Sequence, residues 1–472
     1  MSFWPAEPNS LRFDRDLFAS VLRETRRGLS ASLSGGRNEF YKLCLEDEEA
    51  LDSLTDVAEC IARGLVPPAI RAALALSQLT AILKTNGKVR GIAAGDALRR
   101  LVEKTLAKQF SSTFRQEVSP LNFGLADRSG TDGLIHLLRS SAERDPHRTI
   151  VSIDGIGAYD HISRSRMFQE LWNVPSLRSL IPYARLFLGQ ESQFVWRDEA
   201  GISHMIRQGE GGEQGAALMP ALFCLALKPA LAEIQAALQP DEQVYAYLDD
   251  IYVVTSPARV RAVFDLVSEV LYRVCRIRVN RGKLVAWNAS GSSAPADVAE
   301  LDTPASSGVT AHTVWTSDLP AAQCGVTVLG SPIGSDAFVH AFSERLLDDE
   351  RAFFNKLAEL PCSQHAWLLL SYCGAPRANY RLRTIPPHQC AFYARGHDEA
   401  VLQAFSRLLG AEGVIDGSLA DWARQMRLPC RFAGLGLRSA VRTSPTAYWA
   451  SWNDCIGPLS IRFPQFWSYL AV

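Results

Sequence analysis

Two adjacent carboxylates, Asp249 and Asp250, follow Tyr247-Leu248 where the chain turns between two apolar runs, Val244–Tyr247 and Ile251–Thr255. Like charges so placed raise each other's pKa, and burial disfavours ionisation further, so the pair is costly on its own. A divalent cation removes that cost. Ligands made only of oxygen suit a hard ion, Mg²⁺ or Mn²⁺, better than zinc. A third carboxylate, Asp154, closes the β-branched run Thr149–Ile153, 95 residues before Asp249. Three acidic donors converging on two ions about 4 Å apart is the arrangement used for in-line nucleotidyl or phosphoryl displacement. An Asp-Asp pair is also an ordinary turn; its place between two apolar strands favours the metal reading.

These residues need strands to hold them. Thr149–Ile153 reads as a buried strand with Asp154 at its end, and the runs on either side of Leu248-Asp249-Asp250 read as a hairpin. His161–Trp172 has helical spacing. Gln193–Trp196, Asp198–Gly201 and Ile202–Ile206 read as strand, turn and strand, and Glu213–Ala237 as one long apolar helix entered from Gly209–Gly215. Residues 264–275 are helical by pattern, Arg276–Val279 returns as a strand, and Val326–Gly330 is a further one. Asn288–Ser317, rich in Ser, Ala, Gly and Pro, reads as a mobile surface insertion remote from the carboxylates. Residues 1–60 read as polar helices, with Glu46–Glu49 a solvated helix start, and the chain is helical again from about 341. The layout is α+β, a strand-rich centre with helical flanks.

Residues 61–116 hold ten basic side chains against Asp96 and Glu103, in a protein of net charge −1. A solvated helix face is one reading. A phosphate-facing surface is the stronger one, since crowded positive charge calls for an anionic partner. With 472 residues, 47% apolar and 21% charged, the composition is that of a globular protein of several packed units and excludes collagen-like or wholly disordered chains. The ten cysteines contain no C-x-x-C pair and read as reduced, mostly buried thiols. No apolar run approaches the roughly 20 residues of a membrane span. The first thirty residues carry Glu7, Asp14, Asp16 and Glu24, unlike a signal or transit peptide. The expectation is an intracellular, soluble protein with no membrane partner, nucleus and cytoplasm not being distinguished.

Asp154-Gly155-Ile156-Gly157-Ala158-Tyr159-Asp160 resembles motif A of reverse transcriptases, and Tyr247–Asp250 resembles their Tyr-x-Asp-Asp motif C. Gln214–Phe223 between them is similar to motif B. Upstream, Lys84 through Arg90-Gly91-Ile92 resembles a fingers motif, with Gly91 where proline is usual, and Phe123-Gly124 resembles a second fingers element. Downstream, Val279–Lys283 is similar to motif D, Leu329–Gly334 to the primer-grip motif E, and Arg431–Leu437 to the region past the thumb in non-LTR retrotransposon polymerases. The likeness runs over about residues 60–440, and the order and spacing of the motifs make it specific.

The resemblance implies a right-hand polymerase with an antiparallel palm sheet: an N-terminal helical extension at 1–60, fingers at 61–150, palm at 151–340 with the insertion 288–317, and a helical thumb with C-terminal extension at 341–472. It implies RNA-templated extension of a primer 3′-hydroxyl by dNTPs, with two Mg²⁺ ions, or Mn²⁺, held by Asp154, Asp249, Asp250 and the Gly155 carbonyl. Lys84 and Arg90 would meet the triphosphate, Gln214 and Gly215 would form the floor beside the sugar, and Leu329-Gly330 would grip the primer. Tyr159 would be the gate that excludes a 2′-hydroxyl, or else a core tyrosine. Lys283 would donate a proton to pyrophosphate, or else be a solvated lysine. His204 and the other histidines show no ligand spacing. Two alternatives stand beside this reading: an RNA-dependent RNA polymerase, and a catalytically impaired RNA-binding descendant of a retroelement.

Overall fold

The computed structural model describes residues 11–29, 31–83, 87, 89–125, 128–304, 311–410 and 424–464. Ten strands are formed among the described residues: β1 (Ser77–Leu83), β2 (Val89–Ala94), β3 (Thr149–Ile153), β4 (Ser192–Arg197), β5 (Ser203–Gln208), β6 (Gln243–Tyr247), β7 (Asp250–Thr255), β8 (Val285–Trp287), β9 (Gly325–Val328) and β10 (Ser331–Gly334). The chain divides into two compact units, each discontinuous in sequence. Unit one holds residues 1–127, 153–251 and 262–280, and unit two holds 128–152, 252–261 and 281–472.

In unit one, helices Arg15–Glu24, Glu48–Ala62 and Ala97–Gln109 pack together. Each starts at an aspartate (Asp14, Asp47, Asp96) whose side chain accepts a hydrogen bond from a first-turn N–H, satisfying a donor that the helix leaves open. Their buried stripes include Phe18, Val21 and Leu22, then Leu51, Ala58 and Ile61, then Leu101, Val102 and Leu106. The sheet of this unit runs β2–β1–β4–β5, antiparallel except for the parallel pair β1–β4. The other sheet elements here are β6, the first residues of β7 and the last of β3, neighbours in that order.

The helix expected over Glu213–Ala237 begins only at Met219. Residues 213–218 form a loop instead, because Gly215 takes φ +137° and Pro220 then suits the first turn. By length and composition Met219–Ala237 could cross a membrane, with mean hydropathy 1.2, but 61% of that stretch is buried within the protein. The expected strand Arg276–Val279 is reduced to one bridge, Gly155 to Val279.

In unit two, the remaining residues of β7 and β3 are followed by β8, which is antiparallel to β3. Leu329 (φ +47°) and Gly330 (φ +78°) form the two-residue turn of the β9–β10 hairpin, a left-handed pair suited to strand twist. Helices Asp336–Ala358, Pro387–Leu408 and Ala440–Arg462 enclose two apolar clusters, one around Leu347, Tyr393 and Ile385, the other around Phe354, Leu370 and Phe405.

The segment 288–317 is not the loose insertion its composition suggests, so far as its described residues go. Val298, Leu301, Val314 and Trp315 are buried. The Trp315 indole N–H donates to the Ser292 carbonyl (2.8 Å), and Ala286 of β8 exchanges backbone hydrogen bonds with Val314 and Thr316. Four apolar side chains among many small ones suffice to fasten it. Residues 305–310 lie outside the described residues.

Candidate active site

The three carboxylates all belong to unit one. Asp154 follows β3 and Asp250 opens β7, and these strands are neighbours. All three aspartates are half-buried. The Asp154 carbonyl accepts the Asn280 N–H (2.8 Å) and Ile156 N–H donates to the Arg278 carbonyl (2.8 Å). Gly155 therefore sits between those two bonds, and its own carbonyl is not consumed by this pairing. The Asn280 side-chain amide stands 3.5 Å from Asp154 Oδ2.

The turn of motif C is held by a residue that the sequence reading missed. Asn122 is 1% exposed, and its Oδ1 accepts the N–H of Leu248 (3.3 Å) and of Gly124 (2.9 Å). Leu248 itself takes φ +55°, so a side chain clamping this backbone offsets conformational strain. Gly124 is needed for the approach: a Cβ there would lie 2.8 Å from the Leu248 nitrogen. The only hint in sequence was the neighbouring Phe123-Gly124.

Tyr159 is half-buried, with its ring stacked on Phe223 at 4.5 Å and 3°. Burial first, then Cys224, Asp249 and Tyr247, hold its phenol well above the usual range, so it remains an O–H at neutral pH. Cys224 is raised by burial and by Asp249, which places that carboxylate within electrostatic reach of both.

The glycine-rich loop 209–215 is fixed from several sides. Arg164, fully buried, donates to the carbonyls of Gly211 (2.8 Å) and Gln190 (2.6 Å) and to Ser192 Oγ (2.8 Å). Gly212 N–H donates to the Tyr159 carbonyl (2.9 Å), and Ala93 N–H of β2 donates to the Gln214 carbonyl (3.1 Å). The Gln214 amide reaches both Asp160 oxygens (3.2 and 3.1 Å). A Cβ on Gly215 would lie 2.5 Å from the Ala93 oxygen. Sequence marks neither Arg164 nor Glu213 and reads Arg99 only as part of the basic stretch, since a charge that will be buried has no local signature.

Arg90 lies on β2 opposite Ile82, exposed, while Lys84 lies outside the described residues. The basic stretch is not one phosphate-facing surface: Arg99 is buried against Glu213, and Lys104 and Lys108 pair with Glu24. Lys283, Leu329 and Gly330 belong to unit two. Lys283 is exposed, the Leu329 carbonyl accepts the Tyr380 hydroxyl (2.7 Å), and that of Gly330 accepts from Arg381. His204 pairs with Asp198 (2.8 Å) at the β4–β5 hairpin. All ten cysteines are free, but only Cys224, Cys275, Cys390 and Cys455 are buried, fewer than expected.

Carboxylates with a backbone carbonyl fit a hard, oxygen-preferring cation. Among the described residues, however, no three His, Cys, Asp or Glu side chains are gathered into a ready-made metal cage. The donor chemistry fits; the three-carboxylate convergence expected from sequence is not preassembled.

Residues 82–331, just over half of the chain, match the reverse transcriptase (RNA-dependent DNA polymerase) family, and the chain belongs to it. A retrotransposable element protein of 132 kDa, SLACS, from Trypanosoma brucei gambiense is 21% identical over 453 residues, covering 94% of this chain and 35% of that protein. The chain thus spans about a third of the length of the curated relative it matches. Among solved structures it is similar to telomerase from Candida albicans with a TWJ fragment of telomeric RNA (TM-score 0.43, 12% identity, 86% of this chain and 64% of that one). It is also similar to apo telomerase from Candida tropicalis (TM-score 0.39, 10% identity, 86% and 69%). Both likenesses are distant, and the family assignment rests on the sequence match.

Proposed function

We propose that the chain is an RNA-templated DNA polymerase that extends a nucleic-acid primer with dNTPs. The observation that carries this is that β3, which Asp154 follows, and β7, which Asp250 opens, are neighbours in one sheet, with Asp249 next to the clamped turn residue Leu248. Asp154 and Asp249, with Asp250 and the Gly155 carbonyl, would hold two Mg²⁺ ions, or Mn²⁺, which supply a more acidic primer hydroxyl and a neutralised pyrophosphate. Arg90 and Lys84 bind the triphosphate, the first by a forked donor and the second by a point charge. Gln214 and Gly215 form the floor beside the incoming sugar, and Tyr159 excludes a 2′-hydroxyl. Leu329-Gly330 steadies the primer, and Lys283 offers a proton to the departing pyrophosphate. On this reading residues 61–150 serve as fingers, 151–340 as palm and 341–472 as thumb, after the helical extension 1–60.

Primer extension on an RNA template, with dNTPs against rNTPs, tests the proposal. DNA synthesis that Asp249→Asn abolishes, with the fold intact by circular dichroism, is the expected result. Preference for rNTPs would indicate an RNA polymerase, and template binding without extension a non-catalytic descendant.

A further inference from the structure

Beneath the glycine-rich loop lies a fully buried polar cluster that the proposed chemistry does not use. Arg99 donates to Glu213 Oε1 (2.9 Å) and to Ser77 Oγ (3.1 Å), and Ser77 Oγ donates to Glu213 Oε2 (2.9 Å). The backbone N–H groups of Ala217 and Leu218 lower the pKa of Glu103, one helical turn beyond Arg99, and so lie within its electrostatic reach. The cluster therefore flanks Gln214-Gly215, with Glu213 hydrogen-bonded just before them and Glu103 near the amides that follow. Arg99, Glu103, Tyr183 and Glu213 also line a cavity of about 20 Å³. Arg99 Nε and Tyr183 Oη find no hydrogen-bond partner. A polar void above roughly 10–15 Å³ accommodates one water molecule.

We propose that Arg99, Glu103 and Glu213, with one internal water in this cavity, are positioning residues that fix Gln214-Gly215 as the floor of the nucleotide site. The inference rests on the reading of Gln214 and Gly215 as nucleotide-binding residues. Its logic is that of a high-stakes buried network, which rigidifies its surroundings only while every member is satisfied. Gly215 has little freedom to adjust: its backbone angle is unusual, and a Cβ there would meet the Ala93 carbonyl oxygen at 2.5 Å.

Proton occupancy sets the state of the cluster. The groups facing Glu103 are Arg99 on its own helix, Glu213 from the loop and Tyr183 from the helix Ile181–Leu188. Burial pushes Glu103 up to about 7, with Arg99 opposing and Glu213 adding to the rise. Protonated, Glu103 leaves Arg99 and Glu213 as a neutral pair. Ionised, it adds an unbalanced buried charge beside the loop.

The test uses the full chain and Glu103→Gln, which keeps the shape and fixes the side chain neutral. In primer extension the ratio of dNTP KM values, wild type over variant, should rise about threefold or more between pH 6 and pH 8.5, since the ratio cancels titration of the triphosphate itself. kcat should keep a constant ratio. A flat KM ratio would overturn the proposal. Arg99→Met with Glu213→Leu removes both charges while preserving volume, and should raise dNTP KM about tenfold with kcat within threefold; an unchanged KM would count against it. If the wild type does not extend a primer, the polymerase reading fails by itself. Amide exchange at residues 213–218 then decides: protection in the wild type should shift with pH beyond intrinsic exchange and stay constant in Glu103→Gln, and identical behaviour in the two would sink the positioning role.

Discussion

Each unit buries a polar cluster, and the two are charged in opposite ways. In unit one, two carboxyls, Glu103 and Glu213, share a single guanidinium, Arg99, so the cluster needs a proton to be neutral. In unit two, Asp132 accepts from Arg383 Nε (2.8 Å) and from Ser451 Oγ (2.8 Å), and Ser451 Oγ lies 2.8 Å from His136 Nε2. Because the serine hydroxyl donates to Asp132, it must accept from His136, which fixes the proton on Nε2 and leaves Nδ1 bare and without a partner. This cluster is complete only while the histidine is uncharged. One unit is therefore exposed to alkali and the other to acid: burial favours the neutral form of both groups, and the sign differs because a buried carboxyl keeps a proton while a buried imidazole sheds one.

The largest effect expected from breaking this comparison is Arg99→Ala. It strands Glu213 and Ser77 in the core, and loss of one partner of a buried pair costs about 3–5 kcal/mol. Native-state hydrogen exchange should show that loss across Ala97–Gln109 and Met219–Ala237. Undiminished protection would mean that the pair is hydrated rather than buried.

Next is the pH response of unit one. The folded pKa of Glu103, about 7, exceeds its ordinary 4.5, so the folded state holds the extra proton between those values. Stability therefore falls as pH rises from 4.5 through 7, by about 3–4 kcal/mol at roughly 1.4 kcal/mol per unit. Glu103→Gln should remove that slope, and denaturant midpoints for both proteins at pH 5 and pH 8.5 would detect it. An equal slope in the two would assign the effect elsewhere.

Unit two should respond in the other direction and somewhat less at accessible pH. Burial first, then the charges of Arg139 and Arg383, depress His136 to about 3 from 6.5. Between those values the unfolded chain holds the extra proton, so stability is complete above 6.5 and declines as pH falls. By pH 5 the loss is about 2 kcal/mol. His136→Gln should flatten the acid limb, measured by exchange protection in Gly130–Arg144 and Ala440–Arg462.

What sequence made legible differs between the two regions for a related reason. The carboxylate turn, β3 and the hairpins β4–β5 and β6–β7 are local patterns, apolar runs ended by polar residues, and they fold where those patterns fall. Asn122 acts across 126 residues, the Arg99–Glu213 pair across 114, Asp132 and Ser451 across 319 and Arg164 across 26 to 47, and nothing local marks a polar group that will be buried. The same lack misdirected two expectations. The basic stretch reads as a surface by composition although Arg99 is in the core, and Asn288–Ser317 reads as mobile although Trp315 fastens its described residues. In both, one side chain with a distant partner outweighs the average composition around it.

A further effect, on selectivity rather than stability, lies in unit one at the carboxylate site rather than in its buried cluster. Tyr159 packs flat on Phe223, and its backbone carbonyl holds Gly212 in the loop that carries Gln214. If the ring is a gate, Tyr159→Ala opens room for a 2′-hydroxyl while the backbone contact persists. Each tenfold change in dNTP-over-rNTP selectivity is worth about 1.4 kcal/mol, and removal of one steric block is expected to shift one to three such units. If the ring serves only to pack on Phe223, the same variant loses stability and its selectivity is unchanged. Parallel measurement of dNTP and rNTP incorporation on one primed RNA, with exchange protection of Met219–Ala237 as the packing control, separates the two roles. An unaltered selectivity ratio would leave Tyr159 as a core residue and shift the basis for choosing DNA as product to the family match alone.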